Sequence, residues 1–283
     1  MAEGRLFGGM GRVADKEFNE EGFFFTCHYI MGCEGMPPPV VATQGQWSVK
    51  HEGVSGNIVM IEHSNISIIE VAMVYTVPVS GLIEENAYFY IDEKSGAGFV
   101  IDPGSEPDKL IALVKENGWK IEKILITHGH FDHIGGAGKM RAELGCEIVS
   151  HPTPEDYMGN AYMNLSYYHG FTVELDDVQG VNEGSVVSLK ADPEFRLRVI
   201  ETPGHTTDSV IYYSEKDNLA FVGDTVFRGS VGRWDLPGGE LETLRKSIVK
   251  KVFALPGKTV LYSGHSEPTT VEEEAERNAI SFL

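Results

Sequence analysis

The sequence predicts a layered α/β fold with its chemically active side chains gathered at strand ends. Three observations carry that expectation. Short apolar, β-branched runs alternate with stretches of helical periodicity over most of the chain. One such run, Lys123-Ile-Leu-Ile-Thr127, leads directly into His-Gly-His-Phe-Asp-His-Ile-Gly-Gly136. Three later segments end alike, on a small residue followed by His or Asp: Thr202-Pro-Gly-His205, Phe221-Val-Gly-Asp224 and Leu261-Tyr-Ser-Gly-His265. Strand ends are where sites form in layered α/β folds.

Residues 1–20 are polar and Gly-rich, without clear periodicity. Residues 21–70 hold apolar patches broken by turn signals, among them Gly22-Phe-Phe-Phe-Thr26 and Gly56-Asn-Ile-Val-Met-Ile-Glu62, and read as short strands and loops. Phe23, Phe24, Phe25 and Trp47 do not suit a free tail, because solvated tails are polar and charge-rich. Residues 1–70 are therefore expected to be an extension. It would fold onto the main domain, 71–283, or onto a partner subunit, and shape substrate access or assembly. Cys27, His28 and Cys33 fall in this stretch. Structural zinc uses four ligands in two spaced pairs, so the two cysteines read as small buried thiols.

Residues 71–101 alternate or run apolar and should supply the first strands of the main domain. A helix is expected from Ser105-Glu-Pro-Asp108, with Ser105 as N-cap and Pro107 early in the first turn, where its missing N–H costs little. Its apolar stripe is Leu110, Ile111 and Val114, and Gly118 ends it. Asp102 can cap a turn or accept a hydrogen bond from a ligand histidine. Gly135-Gly136 opens a second helix over Ala137–Leu144, closed by Gly145. Leu241–Phe253 carries a third stripe, Leu244, Ile248 and Val252, and an acidic helix near Thr270–Asn278 closes the chain.

In the densest stretch His128, His130, Asp132 and His133 fall within six positions. Imidazole and carboxylate together suit zinc, iron or manganese. One strand or helix cannot aim all four at a single ion. A strand end running through a loop into a helix start can aim them at two neighbouring ions. His205, Asp224 and His265 supply further ligands, and a glycine before a ligand lets backbone and metal approach closely. His151 and His169 lie outside these segments and are expected not to ligate.

These residues resemble the metallo-β-lactamase superfamily and, within it, the glyoxalase II-like hydrolases. Asp102-Pro-Gly104, Asn164-Leu-Ser166, Gly223-Asp-Thr-Val-Phe-Arg-Gly229 and Gly232-Arg-Trp-Asp-Leu-Pro-Gly-Gly239 add to the ligand pattern, and the likeness runs from about residue 75 to the C-terminus. The resemblance implies a four-layer αβ/βα sandwich with its ligands at one edge, where loops of both sheets meet. It implies that His128, His130 and His205 hold one divalent ion, that Asp132, His133 and His265 hold a second, and that Asp224 bridges them. Zinc is the first expectation, with iron or manganese as alternatives. Asp132 and Asp224 would be the catalytic carboxylates, and a hydroxide shared between the two ions the nucleophile. Residues 151–180 and the Gly-Arg-x-Asp segment would lie beside the pocket.

The leaving group narrows the substrate. A thiolate leaves easily, since a thiol has a pKa near about 8.5. An amide nitrogen must be protonated as it leaves, and no dedicated acid stands out beyond the ligands. A small-molecule thioester or ester is thus the expected substrate. Arg233 can bind a substrate carboxylate through its fork, or pair with Asp235. The chain closes shortly after His265, so the C-terminal helical domain of full-length glyoxalase II enzymes is expected to be missing, and recognition of glutathione does not follow. Ser266 stands where the family often has Gly, and Asp208 stands where Gly commonly precedes the serine.

Two rival readings differ in chemistry. A persulfide dioxygenase would hold one iron through His128, His205 and Asp224, a facial triad. Gly229-Ser-Val-Gly232 lacks the Cys-Gly-Arg form of that branch. The other is a metal-binding or regulatory module that has lost catalysis, against which all seven ligands are intact.

Composition bounds the rest. A chain of 283 residues with 42% hydrophobic content is ample for a large core. A formal net charge of -19, from 42 acidic and 23 basic residues, repels phosphate backbones and anionic lipid, and argues against a nucleic-acid partner. No run is long and apolar enough to span a membrane, and the start lacks an apolar leader core. The three cysteines, Cys27, Cys33 and Cys146, suggest no disulfide framework. The expected setting is the cytoplasm, with a homo-oligomer allowed.

Overall fold

Strands that follow one another in sequence lie side by side in two sheets. A computed structural model describes residues 46–51, 54–60, 71–153, 155–278 and 280. The expectations for Phe23 to Phe25, Cys27, His28 and Cys33 lie outside the described residues. The first sheet runs in chain order: β1 (Gln46–His51), β2 (Val54–Met60), β3 (Val71–Ser80), β4 (Glu84–Asp92), β5 (Ala97–Ile101), β6 (Lys120–Leu125), β7 (Glu147–Ser150) and β8 (Val178–Gly180). Pairing is antiparallel from β1 to β5 and parallel from β5 to β8.

Parallel neighbours need crossovers, usually helical. α1 (Pro107–Asn117) links β5 to β6, and α2 (Phe131–Ile134) with α3 (Ala137–Leu144) links β6 to β7. Between β7 and β8 the chain forms α4 (Glu155–Met158), a 3-10 turn at Ser166–His169 and a long loop.

The second sheet is made from β9 (Val186–Ser188), β10 (Arg196–Glu201), β11 (Val210–Ser214), β12 (Leu219–Gly223), β15 (Val260–Ser263) and β16 (Thr269–Thr270), in the order β16-β15-β12-β11-β10-β9. β13 (Val226–Phe227) and β14 (Ser230–Val231) form a separate small hairpin. α5 (Leu241–Ser247) then returns the chain to β15, which pairs parallel with β12, and α6 (Val271–Arg277) follows β16.

Three apolar layers hold these elements as a four-layer sandwich, as the resemblance implied. Between the sheets, Tyr88, Tyr90, Phe99 and Leu125 meet Phe195, Leu197, Tyr212 and Tyr262, with Tyr90 and Phe195 ring centroids 4.3 Å apart. Outside the first sheet, Phe89, Ile91 and Ile124 pack on Leu110 and Val114 of α1 and Met140 of α3. Outside the second, Ile211 and Val222 pack on Leu244, Ile248, Val252 and Val271. Side chains alternate across a strand, so β4 sends Tyr88 and Tyr90 inward and Phe89 and Ile91 outward. Both faces are covered, which is why such strands read as nearly unbroken apolar runs.

Helix ends follow the sequence signals with one exception. Gly118 and Gly145 close α1 and α3 in the left-handed conformation, at φ 66 and 67, and Pro107 begins α1. Ser105 is not the cap. Glu106 takes that position at φ 49 without a side-chain capping bond, and its carboxylate accepts from Ser80 N at 2.8 Å instead. The left-handed turn at Glu106 moves the helix start one residue on and leaves Ser105 outside. The stripe expected over Leu241–Phe253 is buried as anticipated, but the helix changes from α to π at Ile248–Val252. Thr270 caps α6 by accepting from Glu273 N at 3.3 Å. Among the described residues no helix is long and apolar enough to cross a membrane.

Candidate metal centre

The strand ends on one edge of the sandwich are tied together before any ligand is considered. Asp102 follows β5 directly, and its carboxylate accepts from Thr127 N at 2.7 Å and Thr127 Oγ1 at 2.6 Å. The ends of β5 and β6 are thereby joined. Thr127 O accepts from Val210 N, 2.8 Å away at the start of β11, so the same residue reaches the second sheet. His128 and Gly129 continue the loop, and His130 is the N-cap of α2. Asp132 and His133 lie within that helix. Gly104 faces it so closely that any Cβ there would overlap Asp132 O.

The second sheet contributes three more side chains. His205 sits on a turn whose Gly204 O accepts from Glu240 N at 2.8 Å and whose Pro203 O accepts from Ser247 Oγ at 2.7 Å. The start and end of α5 therefore hold this turn. Asp224 follows β12 and His265 follows β15. Gly264 N donates to Gly223 O at 3.0 Å, fixing the two strand ends together, and Asn86 N donates to Gly264 O at 2.8 Å.

All seven predicted ligands converge. His128 Nε2 lies 3.1 Å from His130 Nδ1 and 3.2 Å from His205 Nε2, and His205 Nε2 lies 3.0 Å from His130 Nδ1. On the other side, His133 Nε2 is 3.5 Å from Asp224 Oδ1 and 3.9 Å from Asp132 Oδ2. His265 Nε2 is 3.4 Å from both Asp132 Oδ2 and Asp224 Oδ2. Asp224 Oδ2 also approaches His205 Nε2 at 3.6 Å, so its carboxylate lies between the two groups. All but His265, which is 21% exposed, are nearly or fully buried.

Partners behind the rings aim them. His133 Nδ1 meets Asp102 Oδ2 at 3.0 Å, so Asp102 orients a histidine of the centre. His205 Nδ1 meets Arg233 O at 2.7 Å and His265 Nδ1 meets Glu84 O at 2.6 Å. Both carbonyls can only accept, so each Nδ1 carries a proton and each Nε2 faces inward, where a cation can take the place of any proton it holds.

Electrostatics divides the cluster. Burial, reinforced by neighbouring imidazoles, holds His128 well below its ordinary pKa and His130 down to about 3. Burial lowers His205 too, against the pull of Asp224. In the other group burial opposes protonation, yet Asp224 outweighs it with the help of further carboxylates. His133 is raised well above the usual range and His265 up to about 10. Burial likewise opposes ionisation of Asp224, and His133 and His265 overcome it, leaving its pKa well below the carboxylate norm. One side is thus three neutral imidazoles, and the other is held together by protons that a cation can replace.

The donors fit metal ions. Zn–N bonds of about 2.0–2.1 Å in a tetrahedron put neighbouring nitrogens about 3.3 Å apart, close to the three imidazole separations. His133 Nε2 and Asp224 Oδ1 are buried without a hydrogen-bond partner, an arrangement that disfavours folding unless something else satisfies them. His128–His130–His205, His128–His133–Asp224 and Asp132–His133–His265 each bring their donor atoms within 4.8 Å of one another.

Other candidates lie elsewhere. His151 Nδ1 interacts with Thr153 through its N at 3.3 Å and its Oγ1 at 3.2 Å, and His169 packs against Phe131 at 4.9 Å. Arg233 pairs through its fork with Asp235, Nε to Oδ1 and Nη2 to Oδ2 both at 2.9 Å. Two buried carboxylates escape sequence reading. Glu85 lies 3.8 Å from His133 Nδ1, and burial raises it well above the usual carboxylate range. Asp208 Oδ2 accepts from Gly129 N at 2.9 Å, and burial pushes its pKa up to about 7. Only the departure of Asp208 from the family pattern signals it in the sequence.

Residues 81–265 match the model of the Metallo-beta-lactamase superfamily. The probable metallo-hydrolase YqgX of Bacillus subtilis is 37% identical over 199 residues, 70% of this chain and 92% of that protein. The hydroxyacylglutathione hydrolase GloC of Haemophilus influenzae is 30% identical over 205 residues, 71% of this chain and 94% of that protein. Among solved structures, TTHA1623 in a di-iron-bound form superposes with a TM-score of 0.64 at 34% identity, covering 73% of this chain and 99% of the other.

Proposed function

The chain belongs to the metallo-beta-lactamase superfamily, and from that premise we propose that it hydrolyses a small-molecule thioester or ester with two divalent ions, in the manner of the glyoxalase II-like enzymes. The observation that carries this reading is the pair of complete donor sets with Asp224 between them. His128, His130 and His205 would hold one ion, and Asp132, His133 and His265 the other. Bound there, two cations would lower the pKa of a metal-bound water from about 15.7 to near 7 and would polarise an acyl carbonyl.

The chain's own residues supply the rest. Asp102, Arg233 O and Glu84 O hold the imidazoles in the tautomer that faces inward. Asp132 and Asp224 supply the negative charge that balances the cations. Among the described residues, Asp102 and Glu85 lie against the outward Nδ1 of His133 and Asp208 accepts from Gly129 N, so a thiolate or alkoxide leaving group, which needs no dedicated acid, is favoured. Zinc suits the His-rich set, and the di-iron form of one relative supports iron as the alternative. The acidic surface favours a small molecule over nucleic acid, and a cytoplasmic setting is part of the same proposal.

Metal analysis of purified protein alongside a thioester screen tests the reading. About two ions per chain and turnover abolished by chelation are expected. A single iron with oxygen uptake on a persulfide substrate would replace it with the dioxygenase.

A further inference from the structure

We infer that the substrate carries an apolar group beside its scissile bond, received on a rim of exposed aliphatic and aromatic side chains around the metal centre. This rests on the hydrolase reading above. Among residues 73–153, 155–278 and 280, whose side chains are described, the large apolar side chains left exposed, Val186 and Val249 apart, all sit on three loops. Each loop is fastened by a backbone atom to the metal centre.

The β3–β4 turn presents Leu82 and Ile83, and the next residue, Glu84, receives the Nδ1 proton of His265 at 2.6 Å. The α4–β8 loop presents Tyr162, Tyr167, Tyr168 and Phe171. Its Asn164 O accepts from Phe131 N at 2.9 Å, and Phe131 lies between His130 and Asp132. The loop after β14 presents Trp234, beside Arg233, whose carbonyl holds His205 at 2.7 Å.

Exposed apolar side chains scattered singly need no explanation, but seven of nine carried on the loops that hold the metal ligands point to a contact surface. The rim is also pre-shaped. Tyr162 and Tyr167 stack with centroids 4.1 Å apart, and Phe227 stands edge-on to His265 at 6.0 Å. Its nearby cation, Arg233, is already neutralised by Asp235 through two 2.9 Å bonds. With a chain charge of -19, this is a poor host for a ligand bearing several carboxylates and a good one for an acyl chain or aryl ring.

The test compares the zinc-loaded full chain on acetyl, butyryl and octanoyl thioesters of N-acetylcysteamine and on S-lactoylglutathione. From acetyl to octanoyl, kcat/KM should rise at least about tenfold, as burial of added methylenes demands, mainly through KM, and should exceed the value for S-lactoylglutathione. Trp234→Ser and the pair Leu82→Ser with Tyr167→Ser should flatten that rise while metal content stays unchanged. Calorimetry with octanamide reads the rim without turnover, and binding should weaken several-fold in the same variants. A flat series, octanamide binding that ignores the substitutions, or variants that change only the oligomeric state by light scattering would overturn the apolar rim. Octanamide bound as expected by a metal-loaded protein that turns over no thioester would instead sink the hydrolase reading and leave the rim standing.

Discussion

Asp224 is the residue on which the proposed centre turns, because its two oxygens reach His133, His265 and His205 at 3.5, 3.4 and 3.6 Å. Asp224→Ala should cut metal content and rate together, and a variant with unchanged stoichiometry and activity would refute the bridging role. His151→Ala and His169→Ala should leave metal content intact. Asp102→Ala removes the acceptor behind His133 and should weaken metal affinity by about 10- to 100-fold, read by competition with a chelating dye. Asp208 gives a pH prediction. Its folded pKa of about 7 lies above the ordinary 3.8, so the folded chain keeps a proton that the unfolded chain releases in that window. Stability should fall as pH rises from about 4 to about 7, and the deficit should be complete above 7, with a ceiling of about 4 kcal/mol. Asp208→Asn keeps an acceptor for Gly129 N. In metal-depleted protein it should therefore raise Tm at pH 8 and leave it unchanged at pH 4. The convergence of the seven His and Asp side chains is legible in sequence because four crowd the six positions that follow β6 and the other three each follow a glycine, at Gly204-His205, Gly223-Asp224 and Gly264-His265. The burial of Glu85 and Asp208 is not legible, although Asp208 stands out as a departure from the family pattern, since a lone carboxylate reads as solvated until the packing that buries it is seen.

At the scale of elements, the His205 turn depends on α5. Gly204 has φ 135, and a Cβ there would overlap the backbone of Leu244. Gly204→Ala combines backbone strain with a clash and should destabilise by upwards of about 2 kcal/mol, with metal content falling as His205 is displaced. Thermal melting and metal analysis of the same sample check both. Element ends were legible where one residue decides them, as Gly118, Gly145 and Pro107 do. The start of α1 was not, because Glu106 turns left-handed to reach Ser80 N in a neighbouring strand, a tertiary contact absent from local pattern. The π turn at Ile248–Val252 was hidden for a related reason. Leu244, Ile248 and Val252 are spaced four apart, close to one turn of either an α or a π helix, which keeps them on one face although the helix widens between Ile248 and Val252.

For the whole molecule, the proposed ions would join the two sheets, because His128, His130, Asp132 and His133 follow the first and His205, Asp224 and His265 follow the second. Chelation should therefore lower Tm. With free metal at a hundred times Kd, each site would add about 2.7 kcal/mol, and a Tm indifferent to chelator would argue against occupied sites. The layering was legible through the buried strands, whose apolar runs betray cover on both faces. The strict neighbour order of the first sheet was not, since strand pairing leaves little trace in composition. That order has a consequence for synthesis. Strands β1 to β8 lie in the order they leave the ribosome, so each can dock on its predecessor as it emerges. Residues 128–133 then appear well before His265, by roughly ten seconds at common rates of elongation. At its start the nascent chain has four of its seven donors; His205 and Asp224 join them as synthesis proceeds, and the second set stays incomplete until His265 emerges. Full metal uptake would mark the end of folding, and a chain cut short before residue 265 would betray itself by the metal it fails to keep.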